Sequence, residues 1–320
     1  MPPDPLISVL LPTRNGTLFL PHALDSLCEQ RAGEALEVVA VDDGSSDGTV
    51  ALLERYQSRL PMSILARHAG NWVENTNVAL ERSRGTFVSF LHQDDAWLPS
   101  RHARLAAATA THPDVPIFLS DATFVDDGGR PVGGWRCPWH RSERTLGPAE
   151  WFAPLLVQNF LAIGAPLVAR HAMIDAGGLD PTLRYAADWK LWLTLAAKRS
   201  ARYLPGPLVE FRVHSEAQTL AIARDAGEFQ CQLDRVLEDA LLAVPPGVTR
   251  LDRWVRLARF SVTVNSTMSA RAVGRAVPIG PLVAHALRLG PPGVLAYLRY
   301  SRLIERSVAR LRAGVGKSPG

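Results

Sequence analysis

The sequence has 320 residues, 47% of them hydrophobic, which suits one large domain or one medium domain with an appendage. Its three cysteines, at positions 28, 137 and 231, are too few and too scattered for a disulfide framework or a zinc cluster. No apolar run approaches the roughly 20 residues that span a bilayer, so we expect a reduced, cytoplasmic protein and not a disulfide-rich or membrane-spanning one.

The net charge of +4 is distributed unevenly along the chain. Residues 250–320 contain 13 Lys and Arg against 2 acidic residues, whereas residues 1–249 contain 22 against 29. A segment this basic suits an anionic surface such as a membrane, and a solvated helical face is the alternative. We expect no nucleic acid as a partner, because no nucleic-acid-binding motif accompanies the charge.

The first 120 residues alternate between short apolar runs and amphipathic stretches. Helical spacing of apolar residues predicts helices over 18–30 and 49–59, the second with Ser45, Ser46 or Asp47 as its N-cap. Continuous apolar runs predict buried parallel strands at LISVLLP (6–12), LEVVAVDD (36–43), MSILA (62–66) and TFVSFL (86–91). This alternation indicates an α/β fold with a mostly parallel central sheet, in which ligands bind beyond the carboxyl ends of the strands.

Polar residues collect at those predicted strand ends. Thr13, Arg14 and Asn15 follow the first strand, and pairs of aspartates follow the second and the fourth (42–43 and 94–95). Adjacent carboxylates repel, and burying one without a partner is costly. A Mg²⁺ or Mn²⁺ ion shared with a phosphate offsets this repulsion. The alternative is that one carboxylate of the second pair caps the following turn.

The pattern changes in the middle of the chain. Residues 126–150 are rich in Gly, Pro and charge, which predicts a long functional loop or lid. Residues 160–170 predict a strand, 185–200 a helix, and 203–214 a strand pair or bend. After about residue 220 the chain is expected to be mainly helical, with interruptions at the Pro-Gly clusters 244–247, 277–281 and 290–293.

Five motifs in this order resemble the inverting glycosyltransferases of family 2, which have the GT-A fold. The first three resemble the opening strand and donor loop, the nucleoside-contacting aspartate, and the stretch leading to the metal motif. The last two resemble the segment with the catalytic carboxylate and the closing histidine motif. In chain order they are ISVLLPTRNG (7–16), VVAVDDGSSDGT (38–49), NVALERSRGTFVSFLHQDD (77–95), DAGGLDPTLRYAADWKLWLTLA (175–196) and FRVHSEAQT (211–219).

The resemblance implies roles for single residues. It implies that Asp95 is the principal ligand of Mn²⁺ or Mg²⁺ and that His214 contacts the metal or its pyrophosphate. The set implied to contact the donor is Pro12, Arg14, Asp42, Asp43, Asn77 and Asp94. The sequence departs from the family pattern at two places. His92-Gln93 stands where a further Asp is commoner, and Ala187 replaces a Glu before Asp188.

Asp188 is the candidate catalytic base. Leu191, Trp192 and Leu195 follow it at i+3, i+4 and i+7, so its side chain starts the apolar stripe of the predicted helix and faces inward. Partial desolvation there would raise its pKa into the range of a useful base. The alternative from the residues alone is a helix N-cap, and the resemblance favours the base.

The resemblance implies a metal-dependent transfer from a nucleoside-diphosphate sugar to a hydroxyl of a glycan or lipid-linked acceptor, in bacterial cell-surface polysaccharide synthesis. UDP-sugars are the favoured donors and dTDP-rhamnose is the alternative. The alternative function is a non-catalytic sugar-nucleotide-binding module on the same fold. A nucleotidyltransferase is disfavoured because PTRNGTLF (12–19) lacks the basic, Gly-rich phosphate loop of that class.

The sequence also predicts how the chain is divided. Residues 1–220 are expected to form the GT-A domain, and residues 221–320 a basic, mainly helical region. Three uses of that region stay open: peripheral contact with the inner face of the cell membrane, a helical cap on the sheet, and a homodimer interface.

Overall fold

The computed structural model describes residues 4–68, 70–139, 141–214, 226–272 and 275–314. Ten strands form one sheet: β1 (Ile7–Thr13), β2 (Leu36–Asp42), β3 (Met62–Ala66), β4 (Phe87–Phe90), β5 (Ala96–Trp97), β6 (Ile117–Val125), β7 (Pro131–Trp135), β8 (Arg144–Leu146), β9 (Leu167–Ala169) and β10 (Ala201–Arg212). The order is β3-β2-β1-β4-β9-β6-β10-β5, with β7 beside β6 and β8 beside β10. Neighbours among β1 to β4 are parallel, as are β6 and β10, whereas β9 runs antiparallel between β4 and β6.

Within the described ranges, seven α-helices accompany the sheet: α1 (Leu20–Cys28), α2 (Thr49–Tyr56), α3 (Trp72–Arg82), α4 (Arg101–Thr111), α5 (Pro148–Val157), α6 (Arg170–Asp175) and α7 (Ala187–Lys198). Every residue of β1 and β2 is buried, as expected for parallel strands covered on both faces. The predicted mixed α/β fold with a mostly parallel sheet is therefore confirmed. Helix α2 begins after Gly48, and the Asp47 carboxylate accepts hydrogen bonds from the backbone N–H and the hydroxyl of Thr49.

Three predictions for the middle of the chain need correction. The segment 126–150 contains β7, β8 and the start of α5, so it is not one uninterrupted loop or lid. Only Leu167–Ala169 of the strand predicted at 160–170 is a strand. The strand pair predicted at 203–214 is one long strand, β10, whose pairing with β6 shifts register between Leu204 and Val209.

The C-terminal region is helical, as predicted, with α8 (Ala226–Leu241), α9 (Leu251–Ala272), α10 (Gly280–Ser301) and α11 (Leu303–Arg312). Helix α10 kinks at Gly290, which has a φ of 64° and stands before two prolines. Leu257, Phe260 and Tyr297 of this region pack with Val157 of α5 in one apolar cluster. The boundary predicted at 220/221 and the motif residues 215–219 lie outside the described residues, so the division of the chain stays a prediction.

Candidate active site

A cleft of about 520 Å³ opens at the carboxyl ends of β1, β2 and β4. The sheet topology produces it, because loops from parallel neighbouring strands converge at one edge. Most of the site residues expected from the sequence line this cleft: Pro12, Arg14, Asp43, Asp94, Asp95, Asp188 and His214. Asp42 and Asn77 are not among the lining residues.

Asp43 is held at the wall of the cleft by its neighbours. One carboxylate oxygen accepts a hydrogen bond from the Gly70 N–H at 2.9 Å, and the other lies 3.6 Å from the Arg14 guanidinium. The loop carrying Arg14 is fixed in turn by Gln93, whose side-chain amide bonds the backbone N–H and carbonyl of Arg14 at 2.8 and 3.0 Å. This pairing gives Gln93 a role in joining the ends of β1 and β4.

Asp42 is not among the residues that line the cleft, and its contact with the donor stays a prediction. Its carboxylate is 1% exposed and accepts hydrogen bonds from the Thr13 hydroxyl and from the backbone N–H and hydroxyl of Ser45. These bonds engage both oxygens and tie the end of β2 to Thr13 and to the loop that follows Asp43.

Asn77 does not line the cleft either, and its predicted contact with the donor stays a prediction. Its side-chain amide donates to the Leu179 carbonyl at 2.8 Å and accepts from the Leu179 N–H at 2.9 Å, tying α3 to the turn before α7. Asn75 lines the cleft instead, and its buried Oδ1 has no hydrogen-bond partner among the described residues. Residues two apart on a helix point to different faces, so only one of the two can reach the cleft.

His92, Asp94 and Asp95 form a cluster whose potential ligand atoms lie within 4.8 Å of one another. The Nε2 atom of His92 is buried without a partner in the described part of the chain. Burial and the adjacent Asp94 raise the pKa of Asp95 well above its ordinary value. Burial opposes ionisation of Asp94 too, but the His214 hydrogen bond and nearby His92 hold the pKa of Asp94 below its ordinary value.

This set of one imidazole and two carboxylates fits a divalent cation such as Mn²⁺, because the buried nitrogen of the imidazole is free to act as a ligand. In the sequence, His92 is only a departure from the family pattern. A histidine directly after a buried strand was the available signal. His214, expected at the metal, lies outside this cluster of three, and its Nε2 lies 3.0 Å from Asp94 Oδ2.

Asp188 is the second residue of α7 and is half-buried. Its oxygens accept hydrogen bonds from the Trp189 N–H and from the Asn159 side-chain amide, both at 2.7 Å. The N-cap position is Ala186, so Asp188 is not the N-cap that the alternative interpretation required. Burial raises the pKa of Asp188 to about 6, although both hydrogen bonds favour its ionised form.

A second cavity of about 310 Å³ adjoins the first, and Asp188, Arg212 and His214 are among the residues that line both. Asn159, Trp189 and residues of α9 and α11 contribute to its wall. Asp188 lines both cavities, and it is the only acidic residue lining the second one within the described chain. Nothing in the sequence around Asn159 indicated that it would contact this carboxylate.

Asn159→Ala is expected to shift the pH dependence of turnover. Loss of the hydrogen bond to the ionised carboxylate raises the pKa of Asp188 further, so the acidic limb of kcat/KM moves from about 6 to higher pH. The measurement is nucleoside diphosphate release from a sugar donor between pH 5 and 9. Asn71→Ala, which removes an amide at the start of α3, is the matched control. If the acidic limb of kcat/KM did not move in Asn159→Ala, the assignment of Asp188 as the base would be contradicted.

Comparison with known proteins adds family information to this geometry. Residues 8–156 match the family model described as glycosyl transferase family 2. An uncharacterized glycosyltransferase of Rickettsia prowazekii is 23% identical over 230 residues, covering 71% of this chain and 70% of that protein. The poly(ribitol-phosphate) beta-N-acetylglucosaminyltransferase TarS of Staphylococcus aureus is 36% identical over 127 residues, 39% of this chain and 22% of TarS.

Solved structures share the fold over nearly the whole chain. Residues 1–349 of S. aureus TarS in complex with UDP-GlcNAc superpose with a TM-score of 0.69 at 18% identity, covering 96% of this chain and 90% of that one. The mannosyltransferase PcManGT of Pyrobaculum calidifontis, in complex with GDP-Man and Mn²⁺, gives a TM-score of 0.58 at 19% identity, covering 99% and 89%. These similarities confirm the GT-A architecture, including the helical C-terminal region.

Proposed function

We propose that the chain, whose residues 8–156 match the glycosyl transferase family 2 model, is a glycosyltransferase that catalyses a metal-dependent, inverting transfer of a sugar from a nucleoside-diphosphate donor. The observation that carries this proposal is the position of Asp188. This carboxylate has a pKa of about 6 and lines two adjoining cavities, one of which is also lined by the cluster His92, Asp94 and Asp95.

In the proposed reaction, Asp188 accepts the proton of an acceptor hydroxyl, which then attacks the anomeric carbon of the donor. The nucleoside diphosphate leaves from the opposite face, so the anomeric configuration inverts. His92, Asp94 and Asp95 are the proposed metal ligands, and a bound divalent cation would supply Lewis-acid neutralisation of the leaving diphosphate. A single protein carboxylate therefore suffices, in contrast to glycoside hydrolases, where a second one protonates the leaving oxygen.

For the donor end of the cleft, we propose that Asp43 contacts the base while Pro12 and Arg14 line the nucleoside pocket, with Asp94 and His214 next to the diphosphate. UDP-sugars are the favoured donors, which the TarS complex with UDP-GlcNAc supports by analogy of fold. The experiment is a panel of UDP-, dTDP- and GDP-sugars incubated with the protein and Mn²⁺, with release of the nucleoside diphosphate as the signal. Release from none of them would contradict the proposal.

For the acceptor, we propose a glycan or lipid-linked molecule reached at the membrane surface through residues 221–320. No helix in the described ranges has both the length and the apolarity needed to cross a bilayer, so the proposed contact is peripheral. Two helices there expose apolar side chains at i, i+4 spacing: Val283 and Leu287 on α10, and Ile304 and Val308 on α11. Residues 275–314 contain seven arginines and one glutamate, which complements an anionic lipid surface.

Leu287→Asp and Leu295→Asp are each expected to weaken membrane binding by about tenfold, since each removes an exposed apolar anchor and adds a repelled charge. Co-sedimentation with phosphatidylglycerol vesicles measures this, and phosphatidylcholine vesicles should bind the wild type much less. Leu242→Asp is the matched control, because Leu242 is 89% exposed but lies outside α10 and α11. Binding that does not depend on anionic lipid, or a dimer that covers these leucines, would contradict the membrane proposal.

A further inference from the structure

Four arginines lie on helix α11 or at its N-cap, and the structure divides them into two pairs. Arg302 donates to the Cys137 carbonyl at 2.6 Å, and Arg312 donates to the Val132 carbonyl at 3.2 Å. Between them, Ala309 is fully buried against β7, where Gly133 leaves room for its methyl group. The helix is therefore fixed on the sheet at both ends and in its middle.

The other pair, Arg306 and Arg310, lines the second cavity. They are one helical turn apart, so their side chains lie on the same side of α11. Neither forms an ion pair with a described residue. The Arg306 guanidinium has one long hydrogen bond, 3.4 Å to Asn265 Oδ1, and its Nε is buried without a partner in the described part of the chain.

This environment is unfavourable for two cations. Burial lowers the pKa of Arg306 to about 10 and also lowers the pKa of Arg310, and the two charges repel each other. Arg212 is a further cation at the cavity, and its guanidinium donates hydrogen bonds to the backbone carbonyls of Asp94, Asp126 and Asp127. Asp188 is the only acidic residue among those described that line the cavity, so the cavity has an excess of positive charge.

We propose that this cavity is the acceptor site and that Arg306 and Arg310 bind a phosphate group carried by the acceptor. The inference rests on the proposed glycosyl transfer, because it needs Asp188 as the base that receives the acceptor hydroxyl. Guanidinium groups bind phosphate oxygens through paired hydrogen bonds, which would compensate the two desolvated charges. The acceptor hydroxyl then lies beside Asp188, on the opposite side from the donor.

The acceptor therefore carries a phosphomonoester or phosphodiester group near the hydroxyl that accepts the sugar. Two sources have this chemistry: a water-soluble phosphorylated polyol and a lipid phosphate. Uncharged sugars and polyols lack the group that the two arginines would bind. The apolar part of the wall, which includes Trp135, Trp189 and Phe211, suits the carbon skeleton that follows the phosphate in either source.

The test is calorimetric titration of protein whose donor cleft has been saturated with a nucleoside diphosphate and Mn²⁺. The probes are glycerol 1-phosphate, a short-chain prenyl phosphate, and glycerol as the uncharged control. We expect at least one phosphate probe to bind the wild type and glycerol not to bind. Arg306→Gln and Arg310→Gln should each weaken phosphate binding by about tenfold or more, because each removes a charged hydrogen-bond donor.

Arg256→Gln on α9 is the matched control, since that guanidinium is exposed and paired with Asp252, and it should bind the probe like the wild type. Nucleoside diphosphate binding in the same samples reports separately on the proposed function and on folding, because neither Arg306 nor Arg310 lines the donor cleft. Arg310→Lys, which keeps the charge, should retain part of the affinity. Failure of both phosphate probes to bind the loaded wild type, or unchanged affinity in both Gln variants, would overturn the inference.

Discussion

Asp188→Asn is expected to lower the rate of sugar transfer by about 10²- to 10⁴-fold while leaving donor affinity nearly unchanged. An amide cannot accept the proton of the acceptor hydroxyl, yet it has almost the volume of the carboxylate. It also keeps one oxygen that can accept a hydrogen bond from Asn159 or from the Trp189 N–H. The measurement pairs nucleoside diphosphate release with calorimetric donor binding on the same preparation.

Asp175→Asn is the matched control for this variant. Asp175 ends α6, forms an exposed ion pair with Arg199, and lines neither cavity, so its loss should leave turnover unchanged. If Asp188→Asn turned over donor as fast as the wild type, Asp188 would not be the base. If donor affinity fell together with the rate, Asp188 would act in donor binding. The assignment of the donor to one cavity and the acceptor to the other would then be wrong.

Asp95→Asn should remove the effect of Mn²⁺ on nucleotide affinity. Asp95 is 4% exposed, and one of its oxygens accepts the Arg212 N–H at 3.0 Å, a bond that an Asn side-chain oxygen can replace. The fold should therefore survive while the buried negative charge that favours a hard divalent cation is lost. Calorimetric titration of UDP with and without Mn²⁺ should show at least about a tenfold loss of the metal-dependent gain, on the scale that perturbed metal sites show.

The control for Asp95→Asn is Asp127→Asn, which removes an exposed carboxylate of the same region. Only the backbone carbonyl of Asp127 contacts Arg212, so this variant keeps that contact. Suppose that Mn²⁺ increases UDP affinity equally in Asp95→Asn and in the wild type. This result would show that the cluster does not hold the cation.

The first part of the sheet could be predicted closely from the sequence. Strands β1, β2 and β4 end at Thr13, Asp42 and Phe90, within a residue or two of the predicted ends. Parallel strands that are covered on both faces are continuously apolar, so the first polar residues mark where they end. Polar residues at those ends predicted the place of the cleft. The stripe that begins at Asp188 likewise predicted an inward-facing carboxylate on α7.

The errors arose where tertiary contacts override local pattern. Gly133 lies in β7 beside Ala309 of α11, and no local signal distinguishes such a glycine from a loop glycine. Motif order predicts Asn77 at the donor, whereas the helix geometry of α3 brings Asn75 to the wall of the cleft. Asn159, Arg306 and Arg310 reach the region of Asp188 from segments far apart in the chain, a proximity that only the folded structure reveals.

The most direct test of the central claim is a thermal-shift screen of the wild-type protein against UDP, dTDP and GDP, each with and without Mn²⁺. The claim is that the cleft at the strand ends binds a nucleoside diphosphate through a divalent cation. It predicts that one nucleotide, with UDP favoured, raises Tm with Mn²⁺ present and much less with either component alone. Equal stabilisation with and without Mn²⁺, or stabilisation by none of the three nucleotides, would contradict it.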